Sequence, residues 1–259
     1  VAEQIVSALS TRGLDKSFGS LVVASGISFD LPQGARHALI GPNGAGKTTL
    51  INLMTGMLRP DAGEIRLGDE EITALPPEKR VTRGLVRTFQ INTLFPNLNA
   101  LEAVTLAVCE REGVARTWWR RVSAYPSAVD EAHAILSSLM LGDDCYRPTR
   151  ELPYGRQRLL EIALALATRP KVLLLDEPAA GVPRDESAEL FAAISNLSSD
   201  ITVLFIEHDM NFVFRFASRI IVMVGGRILL EGTPEEVAAD PRVREVYLGK
   251  SHRDGVRHG

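Results

Sequence analysis

The stretch GPNGAGKTT, Gly41 to Thr49, has the residue types and spacing for phosphate chemistry. It fits the pattern G-x-x-x-x-G-K-[ST], with a strand-like run, RHALIG, before it and a helix-like run, GKTTLINLMTGML, opening from it. Glycines let successive backbone N–H groups curl around phosphate oxygens, and a helix start adds positive potential. Lys47 then supplies an ammonium for the β- and γ-phosphates, and the Thr48 hydroxyl a ligand for Mg²⁺. Thr49 supports the α-phosphate. Pro42, Asn43, Gly44, Ala45 and Gly46 complete the loop, and the site predicted is one for a nucleoside triphosphate. A second stretch, VLLLDEP, ends four apolar residues in Asp176 and Glu177. A buried strand ending in carboxylates delivers them to the edge of a parallel sheet where phosphate loops lie. Asp176 suits the acid on the Mg²⁺ side, and Glu177 suits the base that orients and deprotonates an attacking water.

These residues need a framework. The first 35 or so residues alternate apolar and polar around Gly19-Ser20 and Pro32-Gln33-Gly34, which predicts antiparallel strands. GEIRLGDEEI predicts a further hairpin. Between Leu98 and Leu141, ALEAVTLAV and AVDEAHAILSSLML place apolar residues at helical spacing. The polar, basic and aromatic REGVARTWWRRVSAYP between them reads as a surface insertion. After Lys171, strands and helices alternate, the pattern of a parallel α/β sheet. The expected fold is an α/β core interrupted by a helical subdomain.

Composition agrees with a folded chain of ordinary kind: 259 residues, 45% apolar and 24% charged, with a net charge of -3. The mild acidity argues against a nucleic-acid partner. Runs free of charge, such as Ser17 to Phe29, fall short of the ~18 apolar residues of a membrane span. No basic-then-apolar segment opens the sequence, so no secretory signal is expected. Cys109 and Cys145 have neither metal-ligand spacing nor a disulfide framework and read as reduced thiols. His37, His133, His252 and His258 read as ordinary strand, surface or tail histidines.

Together these motifs resemble, in order and over nearly the whole chain, those of the ATP-binding cassette (ABC) ATPases. In that resemblance Gln90 of VRTFQ falls at the lid-loop position, with a share in the metal site and in hydrolysis. His208 of LFIEH falls at the switch-histidine position, and Phe18 of DKSFGS where an aromatic stacks on adenine. The family's signature segment aligns with Leu152, Pro153, Tyr154, Gly155 and Arg156, which implies a helix start that meets the γ-phosphate held by another subunit. Two residues depart from the pattern: Pro153 stands in the usual serine position and Pro183 where an aspartate or asparagine is usual. Proline is tolerated in the first turn of a helix. The helix start is therefore expected to survive without the serine's hydrogen bond to phosphate, giving a slow or partner-dependent ATPase.

The resemblance implies a phosphate-loop, RecA-like α/β core with an antiparallel β subdomain over 1–95 and 165–240. It places an inserted helical subdomain with the signature at 96–164, and a C-terminal helix and tail at 241–259. LPYGRQRLLEIA, DEPAAGV and EEVAADPRVREVYLGK resemble the ATPases of branched-chain (hydrophobic) amino acid importers. Urea importers and the lipopolysaccharide-export ATPase share these features, and non-transport cassettes acting on nucleic acid or ribosomes form a further class. The cofactors implied are ATP and Mg²⁺. The partners implied are a second ATPase subunit, expected to be a paralogue, transmembrane permease subunits contacted near Asn92 to Phe95, and indirectly a periplasmic binding protein. The location implied is peripheral, on the cytoplasmic face of the inner membrane.

Overall fold

The computed structural model describes residues 7–88, 95–114 and 125–248. The chain divides into two compact units, one of Val1–Pro77 with Leu204–Gly259 and one of Glu78–Val203.

In the first unit, β1 (Ser7–Phe18) and β2 (Leu21–Pro32) pair antiparallel through the turn at Gly19-Ser20, as their alternation predicts. Adding β4 (Ala62–Leu67) and β5 (Glu70–Glu71) gives a sheet in the order β2-β1-β4-β5. One face is apolar: Leu9, Leu14, Ile27, Leu31 and Ile65 are all but inaccessible. A second sheet holds β3 (Arg36–Ile40), which runs parallel to β9 (Arg219–Val224), and β10 (Arg227–Gly232), antiparallel to β9. β8 (Thr202–Ile206) begins in the second unit and lies next to β3 in the strand order. Residues 38–40 of β3 and 203–206 of β8 are apolar and buried throughout, as expected of inner strands of a sheet.

Helix α1 (Lys47–Thr55) leaves the loop after β3. It is shorter than the apolar run predicts, since Gly56 adopts φ 80° and closes the helix through its N–H to the Leu53 carbonyl. α7 (Met210–Phe216) follows β8 and is capped by the Asp209 side chain. Two helices, α8 (Pro234–Ala239) and α9 (Pro241–Leu248), follow β10, the second within the stretch 241–259. Pro241 cannot donate to a continuing helix, so it starts a new one.

In the second unit, β6 (Leu85–Arg87) and β7 (Val172–Asp176) pair in parallel, and β8 stands next to β7. Four longer helices accompany them after α2 (Pro77–Thr82): α3 (Ala100–Arg111), α4 (Pro126–Ser138), α5 (Tyr154–Leu166) and α6 (Arg184–Ser195). Asn99 and Glu102 form a reciprocal cap at the start of α3. Arg111 ties three helices at once, bonding Glu131 of α4 at 2.6 and 2.9 Å and the Ala167 carbonyl past the end of α5 at 2.7 Å. Hydrogen bonding to Arg111 is the main reason the Glu131 carboxyl is lowered to about 2. Both cysteines are buried and free, as expected. Trp118, Trp119, Arg120 and Arg121, within the predicted surface insertion, lie outside the described residues.

Candidate functional site

In the first unit, the phosphate loop is shaped by its contacts with neighbouring backbone. Ala45 N–H closes a turn onto the Pro42 carbonyl (3.1 Å), and the Gly226 N–H bonds the Ala45 carbonyl (2.9 Å). Gly226 in turn accepts from Ser25 of β2 (2.8 Å), so β2, the loop and the β9–β10 turn are laced together. Gly46 has φ 100°, and a Cβ there would fall on the Val23 carbonyl oxygen, so only glycine fits.

Gly46 is also the N-cap of α1, and no side chain caps that helix. The first N–H groups of a helix have no intrahelical acceptor, so this helix start suits an anion. Lys47 is 7% exposed, and its Nζ donates to the carbonyls of Gly41 (2.7 Å) and Pro42 (3.2 Å). Those oxygens are weaker acceptors than a phosphate, and the ammonium turns from one to the other at little cost. Thr48 is exposed and Thr49 half-buried. Tyr247 of α9 reaches the loop as well: burial pushes its hydroxyl up to about 12, and a backbone hydrogen bond from Gly41 pulls it back.

Two more residues expected at the site belong to this unit. Phe18 ends β1 and is 50% exposed, with Leu21 and Val22 also exposed at the same hairpin tip, an apolar platform of the kind a base can stack on. His208 follows β8 and is exposed, its N–H bonding the Glu207 carboxylate at 3.1 Å. Glu207 itself is buried at the strand end. Sequence reasoning passes over it, although an acid directly preceding the histidine is the available signal.

In the second unit, β7 ends as expected in Asp176, which is buried, and Glu177, which is half-buried. Glu177 has φ 50°, an uncommon conformation for a non-glycine residue and one that clusters at functional sites. Asp176 is not an open carboxylate: its Oδ2 accepts from Arg87 Nη2 of β6 at 2.5 Å, with side chains 7% and 13% exposed. Sequence reasoning misses Arg87 because an ion pair made across so long a stretch of chain leaves no local pattern. Gln90 lies outside the described residues.

The signature segment begins α5, as the resemblance implies, but with Pro153 one position earlier than the first turn. Pro153 is the N-cap, at φ −52° and ψ 153°, with Tyr154 the first helical residue. Its ring nitrogen carries no hydrogen and its side chain no oxygen, so α5 has no cap of its own. The cap comes from α6: the Gly155 N–H donates to Glu186 Oε2 at 2.8 Å. Pro183 likewise is the N-cap of α6, at φ −54° and without a side-chain cap. A cavity of about 220 Å³ at the start of α5 is lined by Pro153, Gly155, Arg156, Leu159, Glu186 and Glu189. Tyr154 turns toward Gly181, whose added Cβ would meet the ring at 3.4 Å. Leu152 is buried, and Arg156 bonds the Met140 carbonyl and lies 3.5 Å from Glu189.

No helix among the described residues is long and apolar enough to cross a membrane, and no group of three or more His, Cys, Asp or Glu among them gathers as a metal site. Thr48 in the first unit and Asp176 in the second each carry an oxygen donor, the ligand type that Mg²⁺ takes.

Known proteins resemble this chain over most of its length. Residues 24–180 match the family model described as "ABC transporter", and 227–253 match "Branched-chain amino acid ATP-binding cassette transporter". The high-affinity branched-chain amino acid transport ATP-binding protein BraF of Pseudomonas aeruginosa is 38% identical over 252 residues, 94% of this chain and 98% of that protein. LivG of Escherichia coli, named for the same transport, matches with the same identity and coverage. Among solved structures, the ADP conformation of MJ1267, an ATP-binding cassette of an ABC transporter, is 33% identical with a TM-score of 0.83, covering 94% of this chain and 99% of its own.

Proposed function

The chain belongs to the ABC transporter ATP-binding cassettes, and from that premise we propose how it works. It is an ATPase subunit that powers transport. We infer that its cargo system is an importer of branched-chain amino acids, which is what BraF and LivG are named for. The C-terminal match at 227–253 supports the same cargo class.

The observation that carries the nucleotide reading is the start of α1. Its N–H groups lack a side-chain cap, and Lys47 rests on two loop carbonyls from which a triphosphate would draw it. In the proposed cycle the Gly41–Thr49 loop binds the phosphates and Phe18 stacks on the adenine. Mg²⁺, when bound, offsets charge developing on the β- and γ-phosphates. Thr48 and Asp176 are the residues that would hold it, and Gln90 is assigned a share in the same role. Glu177 takes the proton of the attacking water and His208 contacts the γ-phosphate.

The Leu152–Arg156 segment completes the site of a second ATPase subunit, which we take to be a paralogue. ATP must favour the closed pair, and loss of the γ-phosphate must remove that preference. The helical segment 96–164 and the residues near Gln90 pass the motion to permease subunits. The subunit therefore sits at the membrane's cytoplasmic face, and a periplasmic binding protein delivers the cargo. Pull-down of that binding protein followed by a ligand screen names the cargo.

Glu177→Gln is expected to retain ATP, measured by equilibrium binding, while turnover falls by about 10²–10⁴, the usual worth of a positioned base. Unchanged turnover would mean that another group deprotonates the water. Lys47→Ala is expected to weaken nucleotide binding itself.

A further inference from the structure

One cavity of the second unit is lined by members of two buried ion pairs. Arg87 with Asp176 is one. The other joins Arg158 to Glu161 on α5, where Nη1 donates to Oε2 at 2.8 Å with side chains 7% and 12% exposed. The cavity, of about 10 Å³, is lined by Thr88, Arg158, Glu161, Ile162, Asp176 and Pro178. That is room for about one water molecule, so Asp176 and the Arg158–Glu161 pair are near neighbours. Arg158 Nη2 also bonds the Tyr154 hydroxyl at 2.8 Å, but its Nε, like Glu161 Oε1, is buried without a hydrogen-bond partner among the described residues.

A guanidinium keeps its charge when buried, and a buried charge left without its partner is strongly unfavourable, which favours contact with any anion in reach. Two acidic residues, Glu161 and Asp176, line the cavity together with Arg158. Glu161 holds it now; without that charge, Asp176 is the other acceptor. Asp176 already carries Arg87, and a second guanidinium would set two fixed cations against any metal ion approaching it. We propose that Glu161 is a positioning residue for the metal: by neutralising Arg158 it keeps that guanidinium off Asp176 and leaves the carboxylate to Mg²⁺. The inference rests on the reading of Asp176 as the metal-side acid. It explains why a charged pair sits on the buried face of the signature helix, where an apolar pair would pack at lower desolvation cost.

The test measures metal binding rather than turnover. Mn²⁺ is titrated into the purified full chain saturated with a non-hydrolysable ATP analogue, and free Mn²⁺ is read by its EPR signal. Glu161→Gln preserves shape and is expected to weaken Mn²⁺ binding by about tenfold, the effect of a cation brought close to a charged group. Binding of the analogue without metal should not change. Arg158→Gln/Glu161→Gln, which removes both charges, should return Mn²⁺ affinity to near the wild-type value. A structural role alone would leave the double variant as weak as the single one, and that result overturns the proposal.

Unchanged Mn²⁺ affinity in Glu161→Gln, with a loss in Asp176→Asn, overturns the role of Glu161 alone. No loss in Asp176→Asn overturns the metal-side reading and the proposal with it. Should Glu161→Gln fail to fold, Arg158→Gln decides: removing the rival cation must leave Mn²⁺ binding as tight or tighter, and weaker binding refutes the scheme.

Discussion

His37 stands in β3, only 2% exposed, with Nδ1 lacking a hydrogen-bond partner among the described residues. Burial first, and the Arg219 charge second, lower it from 6.5 to about 4. The fold therefore holds the neutral ring and refuses a proton that the unfolded chain accepts. The sign follows: stability is full above the unfolded value and is lost as pH falls from about 6.5 toward 4. A difference of this size is worth up to roughly 3 kcal/mol. Glu131, lowered from 4.5 to about 2, acts in a separate, more acid window, losing its contribution as pH falls below 4.5. Denaturant midpoints at pH 7.5, 5.5 and 4.5 should fall in the wild type, whereas His37→Leu should stay level across that range until the carboxylates protonate. An equal fall in both proteins would place the acid sensitivity elsewhere. As a strand histidine His37 is legible in the sequence, but its displaced titration is not, because that depends on a packed sheet and on Arg219, 182 positions away in the chain.

Among the elements, α5 shows how two departures from a family pattern are accommodated. Prolines at 153 and 183 sit where φ near −53° suits their rings, but both helices then start without a cap of their own. Glu186 supplies what Pro153 cannot, and in doing so packs against Gly155, where an added Cβ would lie 2.5 Å from Oε2 and 3.0 Å from the Glu186 Cβ. The glycine and the glutamate are therefore coupled. Glu186→Ala should cost about 1 kcal/mol, the worth of a helix cap. Gly155→Ala gains up to ~1 kcal/mol of helix propensity, but in the wild type it drives the carboxylate from its cap and the gain is offset. In the Glu186→Ala background the Oε2 contact is gone and only the 3.0 Å approach to the Cβ at 186 remains, so the same change should be better tolerated than in the wild type. A double-mutant cycle in thermal or urea unfolding should therefore give a coupling of about 1 kcal/mol; simple additivity would show that Glu186 does not cap α5. The helix itself is readable from its apolar spacing and its glycine. Glu186 is not, because a cap from another helix has no signature beside the residue it serves.

For the molecule as a whole, what the sequence discloses is what local chemistry writes: a nine-residue loop, Gly41 to Thr49, and a strand that ends in two acids. What it hides is the long-range pairing of Arg87 with Asp176, made by sheet geometry rather than by a motif; Arg158 and Glu161 stand three apart on one helix, a legible pair, but the sequence does not tell that it is buried near Asp176. A subunit built this way has half of each hydrolytic site in the proposed cycle, because the Leu152–Arg156 segment serves another subunit's nucleotide. Specific ATPase activity should then rise with subunit concentration, or on addition of the paralogue, and fall on dilution. The same assay probes Pro153. A serine there would restore one hydrogen bond to the γ-phosphate, worth about 1 kcal/mol, or roughly fivefold in rate if the bond is made in the transition state. Pro153→Ser should therefore speed turnover only under conditions where two subunits meet, and leave the dilute chain unchanged. A gain that persists on dilution would place the residue's effect within its own subunit; a rate indifferent to concentration and to the paralogue alike would mean that each chain hydrolyses ATP alone.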